Sequence, residues 1–90
     1  MRLSKQRIAI FASGAGTNAA ALVSHFADSS IADIVWVGCN RPAGQAGIYN
    51  RLGKMGVEVH AFDRRAFLDG EVQHSLEALN VDWVVLAGFL

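Results

Sequence analysis

The sequence alternates short apolar segments with segments of helical periodicity, and this alternation constrains the fold more than any other feature. Four apolar segments predict strands, at residues 8–12, 31–38, 57–62 and 82–87. Three segments with apolar residues at helical spacing predict helices, at residues 18–27, 43–54 and 65–79. Gly70 interrupts the last of these. The predicted order of elements is therefore βαβαβαβ, with the first and fourth strands buried.

Strands that alternate with helices favour a parallel sheet with right-handed crossovers. We expect an α/β, Rossmann-like, doubly wound sheet with strand order 3-2-1-4. The topological switch point then lies between strands 1 and 4, at the carboxyl ends of the strands. Ligands of such sheets bind there.

The length and the last residues bear on the domain organisation. Ninety residues allow one small domain, and 52% hydrophobic with 18% charged residues indicates a packed globule. The sequence ends on the apolar "GFL", directly after a strand at the predicted edge of the sheet. We therefore expect residues 1–90 to be the amino-terminal, nucleotide-binding part of a domain that continues beyond residue 90. An uncovered fourth strand would favour self-association.

Charge and cysteine content exclude several classes of function. The net charge of +0 gives no basic surplus for binding nucleic acid. Cys39 is the single cysteine, so no internal disulfide forms, and no cluster of ligands predicts a metal site. No segment approaches the roughly 18 apolar residues of a membrane span. A reduced, cytoplasmic protein is the expected class.

The stretch "SGAGTN" at residues 13–18 joins the first strand to the first helix. Glycines leave the backbone open to a ligand, and a helix start presents free amides with partial positive charge. We expect Gly16, Thr17 and Asn18 to hold a phosphate, with Asn18 also placed to cap the helix. The alternative is a tight turn in which glycine serves only the backbone dihedrals.

The motif leaves the phosphate compound open. "GAGTNA" formally satisfies the dinucleotide pattern, but residues 38–41 contain no acidic residue for a ribose. Arg41 could instead meet the extra phosphate of NADP, which makes an NADP-dependent oxidoreductase one alternative. A non-catalytic module that binds a phosphate ligand is another. No Gly-Lys-Ser/Thr ending follows, so the turn is not a P-loop.

Four segments together resemble the phosphoribosylglycinamide formyltransferase family. These segments are "IAIFASGAGTN", "CNRPAGQAGIYNRLGKMGV", "FDRRAF" and "VDWVVLAGFL", in the order and spacing of that family. The resemblance covers nearly the whole chain and about half of a typical member. It implies transfer of a formyl group from 10-formyltetrahydrofolate to the amine of glycinamide ribonucleotide, without a metal. Formyltetrahydrofolate hydrolase and methionyl-tRNA formyltransferase are related alternatives that share the fold.

The resemblance also implies roles for particular residues. Gly16, Thr17 and Asn18 would bind the ribonucleotide phosphate, in agreement with the interpretation of the glycine turn. Arg65 would approach the folate. Leu90 would be the first residue of the segment whose backbone lines the pterin pocket, and Phe89 would pack beside it. The catalytic Asn, His and Asp of the family lie downstream of the "AGF" strand, so no catalytic residue is expected in this segment.

The remaining chemically active side chains have structural or solvated roles in this interpretation. His25 and His74 are predicted on exposed helix surfaces, and His60 lies in the third strand, away from the switch point. Cys39 is predicted to be a small buried residue. Trp36 and Trp83 belong to strands and are predicted to lie in the core.

Overall fold

The computed structural model describes residues 5–89 and contains a four-stranded parallel sheet. Its strands are β1 (Gln6–Ala12), β2 (Ala32–Cys39), β3 (His60–Ala61) and β4 (Trp83–Ala87). The helices are α1 (Thr17–Phe26), α2 (Gly47–Gly53), α3 (Arg64–Leu68) and α4 (Glu71–Ala78). The strand order is β3-β2-β1-β4, which confirms the predicted 3-2-1-4 order and the doubly wound α/β class.

Strand β1 lies at the centre of the sheet and contributes side chains to both faces. Ile8, Ile10 and Ala12 pack with residues of α1 and α2 on what we call the first face. Ala9 and Phe11 pack with residues of α4 on the second face. All five side chains are at most 8% exposed. A strand buried on both sides needs a continuous apolar run, as the sequence predicts.

A β-bulge in β2 decides which face its aromatic residue joins. Ile8 of β1 is opposite Ile34, whereas Ala9 is opposite Trp36, so Val35 is an extra residue in the ladder. The bulge places Trp36 on the second face, where its exposed fraction is 6%. The indole ring then occupies the space that a side chain at Gly38 would need. The prediction that Trp36 lies in the core is confirmed.

Two predicted helices have different bounds in the structure, and in both cases a glycine with positive φ lies in the turn where the bounds differ. Helix α2 begins at Gly47 and not at residue 43, because the N–H of Gln45 donates to the Pro42 carbonyl at 3.0 Å in a turn. Gly44 in this turn has a φ of 79°. The helix predicted at 65–79 is two helices, since Gly70, with a φ of 84°, separates α3 from α4.

Two predicted strands are also corrected. Strand β3 has two residues where six were predicted, because only His60 and Ala61 pair with β2. Strand β4 forms at the predicted place, but the prediction that it is buried is wrong. Trp83 is 61% exposed and Ala87 is the one residue of β4 that is buried. Trp83 is therefore not a core residue: it lies at the sheet edge, where its indole N–H donates to Gln6 Oε1 at 2.8 Å.

No helix among residues 5–89 has the length and apolar character needed to cross a membrane.

Candidate functional site

The loop between β1 and α1 lies at the carboxyl end of the central strand. Gly14 and Gly16 both have a φ of 76°, in the left-handed region that side chains disfavour. Their surroundings differ. A Cβ at Gly16 would lie 2.5 Å from Ile48 Cγ1, whereas a Cβ at Gly14 would have no atom within 4 Å. Gly16 is thus required by the packing of α2, and Gly14 leaves an open approach to the loop.

Helix α2 holds this loop through three contacts. The Ile48 N–H donates to the Gly14 carbonyl at 3.0 Å. Arg51 Nε donates to the Ala15 carbonyl, also at 3.0 Å. Gly47 lies so close to the loop that a Cβ there would be 3.4 Å from Ala15 Cα. Because the Gly14 and Ala15 carbonyls each accept a hydrogen bond from α2, the loop is held against that helix.

Helix α1 starts without a side-chain cap. Its N-cap residue is Gly16, so the predicted cap at Asn18 is wrong. Asn18 lies within the first turn, and its side chain and that of Thr17 are exposed. The first turn contains no acidic residue. The amides of this turn and the partial positive charge of the helix therefore face outward, which is the arrangement that binds a phosphate.

A second concave region lies beside the carboxyl ends of β2 and β4, and we call it the aromatic cavity. Its volume is about 450 Å³, and it is lined by Asn40, Phe62, Arg64, Phe67, Leu68 and Phe89. Phe62, Phe67 and Phe89 each pack against Phe11, with ring centroids 5.5 to 5.9 Å apart. Apolar rings beside one amide and one guanidinium suit a flat ligand with an anionic group.

The predicted folate-binding residues do not all lie at the aromatic cavity. Phe89 lines the aromatic cavity. Arg65 does not line it: its side chain is 89% exposed and its Nε lies 3.6 Å from Asp69 Oδ2 in an ion pair. The neighbouring Arg64 lines the cavity instead. Leu90 is outside the described residues. Arg64 was not among the predicted site residues, although its place next to Arg65 in "FDRRAF" was a signal for it.

The other candidate side chains lie away from this chemistry or are enclosed. His25 and His74 are exposed on helices, and His60 stacks on Trp36 at 5.5 Å between ring centroids. Cys39 is buried with 0% exposure and accepts the Arg41 N–H at 3.4 Å. Burial, followed by the neighbouring Cys39 thiol, raises the pKa of Tyr49 to about 12. Its hydroxyl thus stays protonated and donates to the Arg41 carbonyl at 2.6 Å.

A doubly wound parallel sheet with a glycine loop at its switch point is typical of α/β domains that bind nucleotides. Within this class, the sequence profile described as formyl transferase matches residues 6–90. The chain belongs to the formyl transferase family. The predicted family resemblance is confirmed, and membership does not favour the NADP-dependent oxidoreductase.

Similar proteins come from flies and bacteria. The trifunctional purine biosynthetic protein adenosine-3 of Drosophila melanogaster is 34% identical over an alignment of 96 residues that covers 96% of this chain and 7% of that protein. Glycinamide ribonucleotide transformylase 1 of Geobacillus kaustophilus superposes with a TM-score of 0.81 at 28% identity, covering 97% of this chain and 48% of its own. Phosphoribosylglycinamide formyltransferase of Bacillus halodurans superposes with a TM-score of 0.74 at 32% sequence identity. This match covers 93% of this chain and 45% of that protein. The chain thus spans less than half the length of these relatives.

Proposed function

We propose that this chain supplies the nucleotide-binding part of a phosphoribosylglycinamide formyltransferase. The whole enzyme would transfer the formyl group of 10-formyltetrahydrofolate to the amine of glycinamide ribonucleotide in purine synthesis. The match of residues 6–90 to the formyl transferase family carries this proposal. The names of the similar proteins favour this reaction over formyltetrahydrofolate hydrolase and methionyl-tRNA formyltransferase, since they refer to purine biosynthesis or to the ribonucleotide.

In this proposal the β1–α1 loop binds the phosphate of the ribonucleotide. The amides of Gly16, Thr17 and Asn18 would donate to phosphate oxygens, and the two exposed side chains would add a hydroxyl and an amide. Three features support the assignment: the loop lies at the switch point, Gly14 leaves its approach open, and no carboxylate opposes an anion in the first turn.

The aromatic cavity is the proposed site of the formyl donor. A reduced folate combines a flat bicyclic ring with a carboxylate tail, which matches the apolar rings and the single guanidinium that line the cavity. Phe89 would pack on the ring, and Arg64 would pair with a tail carboxylate. The roles given to Arg65 and Leu90 remain predictions, and the ion pair of Arg65 with Asp69 makes Arg64 the stronger candidate.

The chemistry is acyl transfer. The amine of the ribonucleotide attacks the formyl carbon, and a tetrahedral oxyanion forms. The C–N bond to the folate then breaks, the nitrogen of the folate takes a proton, and the ammonium formed from the amine loses one. Such a step needs an oxyanion donor and a proton shuttle. We assign neither role to a residue of this chain, so we propose that the chain alone binds substrate without turnover and that the domain continues beyond residue 90.

The environment of the protein and its assembly follow from the same proposal. We propose a cytoplasmic enzyme, because purine synthesis uses small soluble metabolites and Cys39 is a free thiol. We also propose that the chain self-associates through β4, whose Val84 and Leu86 are 50% and 63% exposed at the sheet edge. Sedimentation of wild type and Leu86→Lys tests this, since the charged variant should remain monomeric at concentrations where the wild type associates.

Calorimetric titration of the chain tests the phosphate site. We expect binding of glycinamide ribonucleotide, and at least tenfold weaker binding of the riboside that lacks the phosphate, since each charge-assisted hydrogen bond contributes about 1.5–3 kcal/mol. Thr17→Asp should weaken the ribonucleotide without lowering stability, because an acidic residue suits a helix start but repels phosphate. Ser24→Asp, on the same helix and also exposed, is the control and should leave affinity unchanged.

Two outcomes would contradict the proposal. Equal affinity for the ribonucleotide and the riboside would show that the loop is only a turn. Tight binding of NADPH with no heat from the ribonucleotide would show that the chain belongs to a different reaction class.

A further inference from the structure

The aromatic cavity continues into a second concave region, which we call the arginine groove. The groove has a volume of about 270 Å³ and is lined by Asn40, Arg41, Pro42, Ala61, Phe62 and Asp63. Asn40 and Phe62 line both regions, so the two are adjacent and one elongated ligand could occupy both.

The two arginines of this combined surface form no ion pair with the described residues. Among residues 5–89, neither Arg41 nor Arg64 has a carboxylate within ion-pair distance, whereas Arg65 pairs with Asp69. Asp63 is the acidic residue of the groove, and its Oδ1 caps α3 by accepting the Ala66 N–H at 2.7 Å. Two guanidinium groups are thus available to a ligand, one in each region.

The backbone of Arg41 is anchored on both sides. Its N–H donates to Cys39 Sγ at 3.4 Å, and its carbonyl accepts the Tyr49 hydroxyl at 2.6 Å. Both partners are fixed, since Cys39 is fully buried in β2 and Tyr49 belongs to α2. The side chain of Arg41 is therefore the part of this residue left to meet a ligand, and it starts from a rigid position at the end of β2.

We propose that Arg41 forms a second anion subsite, which binds a carboxylate further along the tail of the donor than the one bound by Arg64. The carboxylate at Arg41 belongs to a glutamate beyond the first, because a single glutamate already carries two carboxylates. The ligand class is therefore a flat heterocycle with a chain of three or more carboxylates, and for a folate this is an oligo-γ-glutamyl tail. The inference rests on the proposed function for the identity of the donor. It assigns to Arg41 the selection of tail length, which the family match does not address.

Calorimetry of the full chain with folic acid carrying one and three γ-linked glutamates tests the subsite. The wild type should bind the triglutamate about threefold tighter than the monoglutamate, as expected for an exposed ion pair, and added salt should reduce this ratio. Arg41→Gln should bring the ratio to one and leave the monoglutamate affinity unchanged. Arg41→Lys should keep part of the preference.

Two further variants separate the subsites. Arg64→Gln should weaken both folates. Lys54→Gln is the control and should weaken neither, because Lys54 is an exposed cation that lines neither region. Equal binding of the two tails by the wild type would overturn the inference while leaving the donor site intact. Loss of affinity for both tails in Arg41→Gln would also overturn it.

Other outcomes would contradict the proposed function and not the Arg41 subsite alone. If neither folate nor ribonucleotide binds the wild type, both proposals are wrong. If NADPH binds and Arg41→Gln weakens it, the groove holds a nucleotide phosphate and not a carboxylate tail.

Discussion

Helices α1 and α2 lie on the first face of the sheet, α4 lies on the second, and the two faces are covered to different degrees. The first face contains ten buried residues of the described chain, and Ile10, Ile48 and Leu52 there are 0% exposed. The second face contains four. A groove of about 450 Å³ separates α4 from β4, and both Val84 and Leu86 line it. The loop between β1 and α1 therefore rests on the covered first face, whereas the aromatic cavity borders the open second face.

Truncating one leucine on each face gives the largest expected contrast. Leu52→Ala removes a fully buried side chain from α2 and should lower the free energy of unfolding by about 2–5 kcal/mol. Leu86→Ala removes a side chain that is 63% exposed and should change it by about 0.5 kcal/mol or less. Urea unfolding of the two variants at equal concentration measures the difference. Similar losses would mean that the second face is covered in solution.

Two glycines of the loop between β1 and α1 sharpen the comparison further. Gly14→Ala should cost about 1–2 kcal/mol, the penalty for a side chain in the left-handed region. Gly16→Ala has the same penalty and adds about 1–3 kcal/mol of overpacking, because the new methyl group would lie 2.5 Å from Ile48 Cγ1. The same unfolding measurement checks both.

The pair also tests what each glycine does for the ligand. If Gly14 leaves the approach to the loop open, Gly14→Ala should weaken phosphate binding in a protein that remains folded. If both variants lose the same stability, the packing of α2 against the loop is looser than the structure indicates.

The architecture could be predicted from the sequence because alternation and crossover rules leave few options. Apolar runs separated by helical periodicity define the parallel sheet, and its right-handed crossovers give the 3-2-1-4 order. The glycine loop was predictable for the same reason, since its place after the first strand puts it at the switch point. These inferences depend on patterns along the chain and not on which surfaces meet.

The inaccurate predictions concern features that depend on neighbours in space. An apolar strand such as residues 82–87 has the same sequence whether or not another element covers it, so its exposure could not be read from composition. The different surroundings of Arg64 and Arg65 could not be predicted for a similar reason. Successive residues on a helix point about 100° apart, so one arginine lines the cavity and the other faces solvent.

A change at Tyr49 gives the smallest expected effect on stability. This residue packs at the edge of the first face. It is the single tyrosine of the chain, so tyrosinate absorbance reports it alone. Burial and then the Cys39 thiol raise its pKa to about 12, against about 10 in the unfolded chain. The folded state holds this proton more tightly, so the contribution of Tyr49 to stability is complete below pH 10 and is lost as pH rises from 10 to 12.

Two variants separate this contribution from other groups that titrate at high pH. Tyr49→Phe should make the decline in stability between pH 10 and 11 shallower than in the wild type. Cys39→Ala should lower the Tyr49 pKa only in part, because burial is its larger cause. A tyrosinate midpoint near 10 in the folded wild type would instead place Tyr49 in water. The link from α2 to Arg41 would then be absent, and with it the rigid base of the arginine groove.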